Sequence, residues 1–166
     1  MSGGLVVDIA SVTSTTQPPA TEVVYKVRNT DMQPVWMVDD GWLIFRQDGD
    51  LIEVSFARGR LRKGVQVFGY FAPAVLRLNP SEQVERHFTL TWPLELDRMW
   101  NVDRIAAPTP GKHRLSIRVG YGITPQADEP KSGESVDGPI DRWQRLGQSA
   151  PVTFRIPAYE GSTSGN

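Results

Sequence analysis

Apolar and polar residues alternate with a period of two in many short stretches of the chain, and no stretch of ten or more residues keeps the 3.6-residue period of an amphipathic helix. A period of two sends successive side chains to opposite sides of an extended strand, so these stretches predict half-buried strands. The first is Leu5–Val12, followed by Thr13–Ala20, whose Ser, Thr and Pro read as a linker. In Glu22–Asn29, Val23, Tyr25 and Val27 share one side, while Val24, Lys26 and Arg28 share the other. The turn formers Asn29-Thr30-Asp31 end it. Val35–Val38 and Trp42–Gln47 are separated by a bend at Asp39-Asp40-Gly41. Between Trp42–Arg46 and Leu51–Phe56, Gln47-Asp48-Gly49-Asp50 predicts a hairpin of type I′, because Asp-Gly supplies positive φ.

Val65–Phe71 and Ala74–Leu78 are two further extended runs split by Pro73, which belongs at an edge or bend. Asn79-Pro80-Ser81-Glu82 is a turn into Val84–Trp92, where Phe88, Leu90 and Trp92 align. Pro93–Pro110 is a long connection with a helical turn expected around Asp97–Asn101. Leu115, Ile117, Val119, Tyr121 and Ile123 then mark the clearest strand of the sequence. Pro125–Gln148 is too long for a simple turn, and Ile140–Leu146 within it suits a helical turn that docks Trp143. Val152, Phe154 and Ile156 complete the set. The pattern predicts an all-β fold, a two-sheet antiparallel β-sandwich of Ig-like topology with seven to nine strands, against which a closed barrel competes. Residues 1–157 are expected to form one domain, with 125–148 as a long loop insertion and 158–166 as a flexible C-terminal tail.

Composition removes several classes of function. The 166 residues carry 18 Lys and Arg against 19 Asp and Glu, a net charge of -1, which gives no global attraction for nucleic acid. There is no Cys, so disulfides, thiolate nucleophiles and Cys-ligated metals are excluded. Apolar runs reach only about five residues, far short of the roughly 18 that a transmembrane helix needs. Met1-Ser2-Gly3-Gly4 lacks the basic and apolar regions of a signal peptide. Ser-Gly-Gly also follows the lipidated Cys of bacterial lipoproteins. Two locations therefore stay open: periplasmic or outer-membrane-anchored through a lipid if the start derives from a processed lipoprotein, cytoplasmic otherwise.

Four elements carry a family resemblance: Tyr25-Lys-Val-Arg-Asn29, Leu78-Asn-Pro-Ser-Glu82, Trp92, and Pro110-Gly111-Lys-His-Arg-Leu115. A strand ending in Asn, a Leu-x-Pro-Gly-Glu-like turn, a Trp closing the next strand and a Pro-Gly-x-Tyr-x-Leu opening of the penultimate strand resemble bacterial Ig-like domains. Intracellular proteinase inhibitor (BsuPI-like) domains and envelope lipoproteins share this outline, over roughly residues 22 to 123. Ser81 stands where the outline has Gly, and His113 where it has an aromatic residue. The resemblance implies the sandwich fold and, by analogy, an inhibitor.

The candidate chemistry is sparse. His87 and His113 are the only imidazoles and are expected on solvated strand faces. They lack the further ligands of a metal site, apart from Glu85 two residues before His87. No Gly-x-Ser-x-Gly elbow supports a catalytic triad, and Ser116 lies inside a regular strand. Asp39, Asp40, Asp48 and Asp50 do not match a calcium loop and are explained by turn chemistry. Arg58, Arg60, Arg62 and Lys63 concentrate positive charge that suits phosphate or an acidic partner, although such charges more commonly keep a sheet edge from pairing.

Five Trp are more than such a core usually needs. Trp92 is expected inside. Trp36, Trp42, Trp100 and Trp143 lie beside turns or in long connections, where an indole either caps the sandwich or anchors a partner. Trp100 and Trp143 are favoured for recognition because both sit in long connections. These readings predict a non-catalytic binding module that uses Trp100, Trp143, Arg58, Arg60 and Arg62, with no cofactor or metal and with another protein as partner. An inhibitor or immunity protein blocking a partner enzyme is one alternative, and a carbohydrate-binding module is another.

Overall fold

A strand with one apolar side cannot bury it alone, so these segments need a second sheet to face. The computed structural model describes residues 3–59, 72–94, 108–127, 131–134 and 138–160. The strands are β1 (Leu5–Thr16), β2 (Pro19–Asn29), β3 (Val35–Val38), β4 (Ile44–Asp48), β5 (Leu51–Ser55), β6 (Val75–Leu78), β7 (Gln83–Thr91), β8 (Gly111–Gly122), β9 (Arg145–Gln148) and β10 (Val152–Ile156). Among the described residues one short helix, α1 (Gly138–Trp143), lies between β8 and β9. β1, β2 and β7 form one sheet in the order β1-β2-β7, and the other seven strands form a second around β8. The architecture is the all-β, sandwich-like one that the alternation predicts. The expected strand Val65–Phe71 and the helical turn at Asp97–Asn101 lie outside the described residues.

β8 organises the second sheet. Arg114 and Leu115 are opposite both β5 and β10, Arg118 is opposite both β5 and β9, and Tyr121 is opposite both β3 and β9. A strand residue has one neighbour on each edge, so β5 and β3 share one edge of β8 while β9 and β10 share the other. β9 and β10 act as one kinked strand along that edge. Arg118 faces Gln148 and Leu115 faces Val152, so one extra residue is accommodated between them. Pro151 falls in this bulge, where its missing N–H costs no ladder bond. Ser149 closes the gap: its N–H donates to the Ile117 carbonyl at 2.9 Å, and its Oγ accepts from the Ile117 N–H at 2.9 Å.

Several expectations need correction. The pairing of β5 with β8 is parallel, so the second sheet is not purely antiparallel. Parallel neighbours require a long crossover, and here the chain crosses to the other sheet as β7 before returning. The stretch 13–20 is not a linker but the tip of the β1–β2 hairpin, with Thr13 opposite Glu22 and Thr16 opposite Pro19. Thr is a good strand former, and its polarity suits a two-sided exposed arm. The β4–β5 turn has Gly49 at φ 59°, and Asp50 does not share the positive φ, so the sign pattern is II′ rather than I′. β9 was not anticipated, because Arg145-Leu-Gly-Gln148 has no apolar alternation of its own. Its buried residue is Gly147, where a Cβ would lie 2.9 Å from the Leu5 carbonyl oxygen. The domain also extends past residue 157, since the Tyr159 ring is buried against Trp92 and its hydroxyl donates to the Pro108 carbonyl.

The main core lies between the sheets. Leu5, Val7, Val23, Tyr25, Val27, Leu90 and Trp92 come from the three-stranded sheet. They meet Val35, Met37, Phe45, Ile52, Val54, Leu78, Leu115, Ile117, Val119 and Phe154 from the other. Side chains of this size each contribute about 1.5–3 kcal/mol when fully buried. Tyr25 and Phe88 reach across to Phe56, with ring centroids 5.3 to 6.0 Å apart. A chain of polar bonds runs through one end of this core. Trp92 Nε1–H donates to Thr21 Oγ1 at 3.0 Å, and Ser14 Oγ donates to the Arg155 carbonyl at 2.7 Å. The Ser14 proton being used, the 2.9 Å contact between Thr21 and Ser14 has Thr21 as donor, and the chain of bonds links both sheets.

The end of β2 is fastened in the same way. Asn29 is fully buried, and its Nδ2 donates to the carbonyls of Gln33 at 2.9 Å and Leu78 at 3.0 Å, while its Oδ1 accepts from the Asp31 N–H at 2.8 Å. Beside it, Glu82 N–H donates to the Asn79 carbonyl at 3.0 Å, closing a four-residue turn with Pro80 second and Ser81 third. Ser81 has φ 66°, a value that favours Gly at this place in a type II turn. Ser81→Gly is therefore expected to stabilise the protein by about 0.5–1 kcal/mol, the steric cost of a left-handed L-residue less the added freedom of the unfolded chain. Urea unfolding measures this, and an unchanged or lower stability would contradict it.

Candidate functional site

The outer face of β8, turned away from the main core, carries Ser116, Gly120 and Gly122. A Cβ on Gly122 would lie 2.0 Å from Trp143 Cε2, and one on Gly120 would lie 2.3 Å from Gln144 Oε1. The two glycines therefore form a saddle for the end of α1, and no larger residue fits while the indole is seated. Trp143 joins Val38, Ala127 and Ile140 in a second buried cluster, flanked by Trp36 and Val75 and separate from the main core. Its Nε1–H donates to the Thr124 carbonyl at 3.0 Å, and Gln144 N–H donates to the Ile140 carbonyl at 2.8 Å.

Gly120 also marks the fork where β5 and β3 share an edge of β8, since β5 pairs up to Arg118 and β3 from Tyr121. The chain leaving β5 crosses this fork, with Ala57 Cα 3.0 Å from the position a Gly120 Cβ would take. Arg58 follows. Its backbone N–H donates to Gln144 Oε1 at 2.7 Å, and its carbonyl accepts from Gln144 Nε2 at 3.0 Å, so one amide side chain acts as a strand neighbour. The guanidinium lies 5.5 Å from the Trp42 ring centroid, and its Nη1 is 3.3 Å from Asp40 Oδ2. Asp40 Oδ1 accepts from the Trp42 backbone N–H at 3.2 Å, which ties the start of this segment to Asp40. On the other side of Gly120, Leu146 is its partner in β9 and shares its outer face. Trp42 and Leu146 are 41% and 51% exposed, whereas the side chains of Arg58 and Asp40 are only 10% and 13% exposed.

The structure thus brings together Arg58 and Trp143, 85 positions apart in sequence, through Gln144. Arg60, Arg62 and Trp100 lie outside the described residues. Trp143 is buried and serves to seat α1, so its indole offers no exposed surface. Trp42 was among the candidate anchors but was not favoured, and Gln144 and Leu146 were not singled out by sequence reasoning. The available signal was Gly120-x-Gly122 inside a regular strand, which marks a close approach to the backbone.

Other candidates fall into structural roles. His113 is not solvated as expected but buried, opposite Phe154, and its Nε2 bonds to the Thr109 carbonyl at 2.7 Å. Its place on the core side of β8 explains why an aromatic ring suits that position. His87 is exposed. Asp39, Asp40 and Asp50 each face an arginine: Arg86 at 3.0 Å, Arg58 at 3.3 Å and Arg114 at 2.9 Å. Among the described residues, no three His, Asp or Glu come together as a metal site. Trp36 lies 5.8 Å beneath the Arg77 guanidinium, and Trp92 is in the core.

Comparison with known protein families, with curated proteins and with solved structures gives no match. The fork presents an exposed aromatic plane and an exposed aliphatic side chain on a strand-based platform, with the nearly buried Arg58 guanidinium ordered beside the indole. Burial pushes the Asp40 carboxyl above the ordinary carboxylate value, against the Trp42 N–H and Arg58, which draw it down. Asp50 moves the other way, lowered by its hydrogen bonds from Arg114. A raised Asp40 means that the folded state holds a proton that the unfolded state has released, so this group makes stability fall as pH rises from the ordinary Asp value through its own. Carboxyl NMR titration should show Asp40 deprotonating after Asp50, and Asp40→Asn should remove that part of the pH slope. The reverse order of titration would contradict the assigned environments.

Proposed function

We propose that this chain is a non-catalytic, Ig-like protein-interaction module whose contact surface is the fork on the outer face of β8. The observation that carries the reading is the exposed Trp42 ring held against Arg58 on one side of the fork, with exposed Leu146 opposite Gly120 on the other. Trp and Arg are the residues in which binding energy concentrates at protein interfaces, and the ion pair and indole contact hold Arg58 in one orientation before any partner arrives. An apolar partner surface fits this combination, because the exposed groups are Trp42 and Leu146 and the Arg58 charge is already met by Asp40. The BsuPI-like inhibitor analogy remains compatible with such a surface, as one way of occupying a partner enzyme.

The carbohydrate-binding alternative draws less support, because Trp36, Trp42, Trp92 and Trp143 are divided among the two cores and the fork and make no common platform. Gly3 and Gly4, which suggested a lipoprotein start, have a packing reason of their own. A Cβ on Gly3 would lie 2.6 Å from Asp31 Cα, and the Gly4 carbonyl accepts from the Thr30 N–H at 2.8 Å.

Photo-crosslinking tests the surface. A photoreactive residue at position 42, compared with one at exposed Glu22 on the three-stranded sheet, should give a discrete adduct of fixed stoichiometry in extracts of the source cell. That adduct should be lost on Leu146→Asp. Equal labelling from both positions would contradict the proposed surface.

A further inference from the structure

We infer that Trp143 and Gln144 form a clamp on the backbone of Arg58, so that the seating of an indole on Gly122 sets the geometry of the fork around Trp42. The consequence for partner binding rests on the function proposed above; the clamp does not. The path is continuous. The Gly122 saddle receives the indole, whose Nε1–H is tied to Thr124 at 3.0 Å. Ile140 and Trp143 anchor α1 in the second cluster, and the bond from Gln144 N–H to the Ile140 carbonyl fixes where the Gln144 side chain starts. That side chain then satisfies both backbone groups of Arg58. Arg58 in turn carries its guanidinium to Asp40 and the Trp42 ring.

A side-chain amide can stand in for a strand neighbour only while its own Cα is held, because a free Gln loses rotamer entropy in making two bonds to one residue. The holding force here is the second cluster of Val38, Ala127, Ile140 and Trp143, which is small and separate from the core between the sheets. Such a cluster can open without opening the main core. Opening it would release Arg58 and the residues leading into Leu146 together, while the sandwich stays folded. Gln144 is therefore a positioning residue for Arg58, and Trp143, remote from the exposed surface, governs it indirectly.

The experiment is amide hydrogen exchange at Arg58 in the full chain, read by NMR beside the indole N–H of Trp143. Gly122→Ala places a methyl group where the indole sits and leaves Arg58, Asp40 and Trp42 untouched. It should accelerate exchange at Arg58 by about tenfold, as should Gln144→Ala, which removes the two bonds directly. If Gly122→Ala prevents folding, Trp143→Phe, which lacks the Nε1–H bond to Thr124, takes its place with the same direction of change. An indole N–H that loses protection while Arg58 exchanges at the wild-type rate would overturn the clamp. Faster exchange at Arg58 with unchanged, discrete crosslinking from position 42 would overturn the control of the fork by the clamp while leaving the proposed surface standing, whereas equal labelling from positions 42 and 22 with faster exchange at Arg58 would uphold the clamp and contradict the surface.

Discussion

Both edges and both faces of β8 are occupied, and the rest of the structure depends on that constraint. Backbone groups buried in a sheet interior must be paired, and β8 meets this with β5 and β3 along one edge and the kinked β9–β10 strand along the other. Its inner face supplies Leu115, Ile117 and Val119 to the main core. Its outer face has to be thin where α1 lies on it, hence Gly120 and Gly122. The arrangement stacks two cores on one strand: the larger between the sheets, the smaller beneath α1. The fork forms where the first edge changes partner, because β5 and β3 diverge there and leave Gly120 to be covered by Ala57, Gln144 and Leu146.

The charged residues follow from the same plan. Arg114 with Asp50, Arg118 with Glu53 and Arg86 with Asp39 lie across neighbouring strands or connections, at 2.9 to 3.1 Å. The first and last of these are exposed enough to add little stability and serve to fix register and orientation, while Arg118 and Glu53 are half-buried. The pair of Arg58 with Asp40 differs because both side chains are nearly buried. Such a pair costs desolvation, which the raised Asp40 carboxyl reflects, and its return is a single orientation of the guanidinium beside an exposed indole.

Much of the fold was legible in the sequence because alternation reports burial directly. Val23, Tyr25 and Val27, and again Leu115, Ile117 and Val119, are inside as their spacing requires. What escaped was structure whose signal is not apolar. Thr13–Thr16 pair as a strand through backbone and hydroxyl bonds rather than apolar burial, and β9 turns a glycine inward. The parallel partnership of β5 and β8 is set by a crossover spanning more than fifty residues, which no local pattern encodes. His113 looked like a solvated residue because its type is polar, yet it occupies a ring position in the core. Of the candidate site, Arg58 and Trp143 were visible as residue types. Their connection through Gln144 was not, because it exists only once α1 rests on β8.

The central claim, that β8 is the element on which both cores and the fork depend, is tested most directly by native-state hydrogen exchange across the backbone. The amides of Leu115, Ile117 and Val119 point toward the β9–β10 edge within the doubly buried part of β8. They should exchange only through global unfolding, tracking the stability measured by denaturant. The β1–β2 tip at Thr13–Thr16 and α1 should open at far lower free energy. If the β8 amides instead exchanged as fast as those of β4 in the β4–β5 hairpin, through local opening insensitive to denaturant, β8 would not be the organising strand.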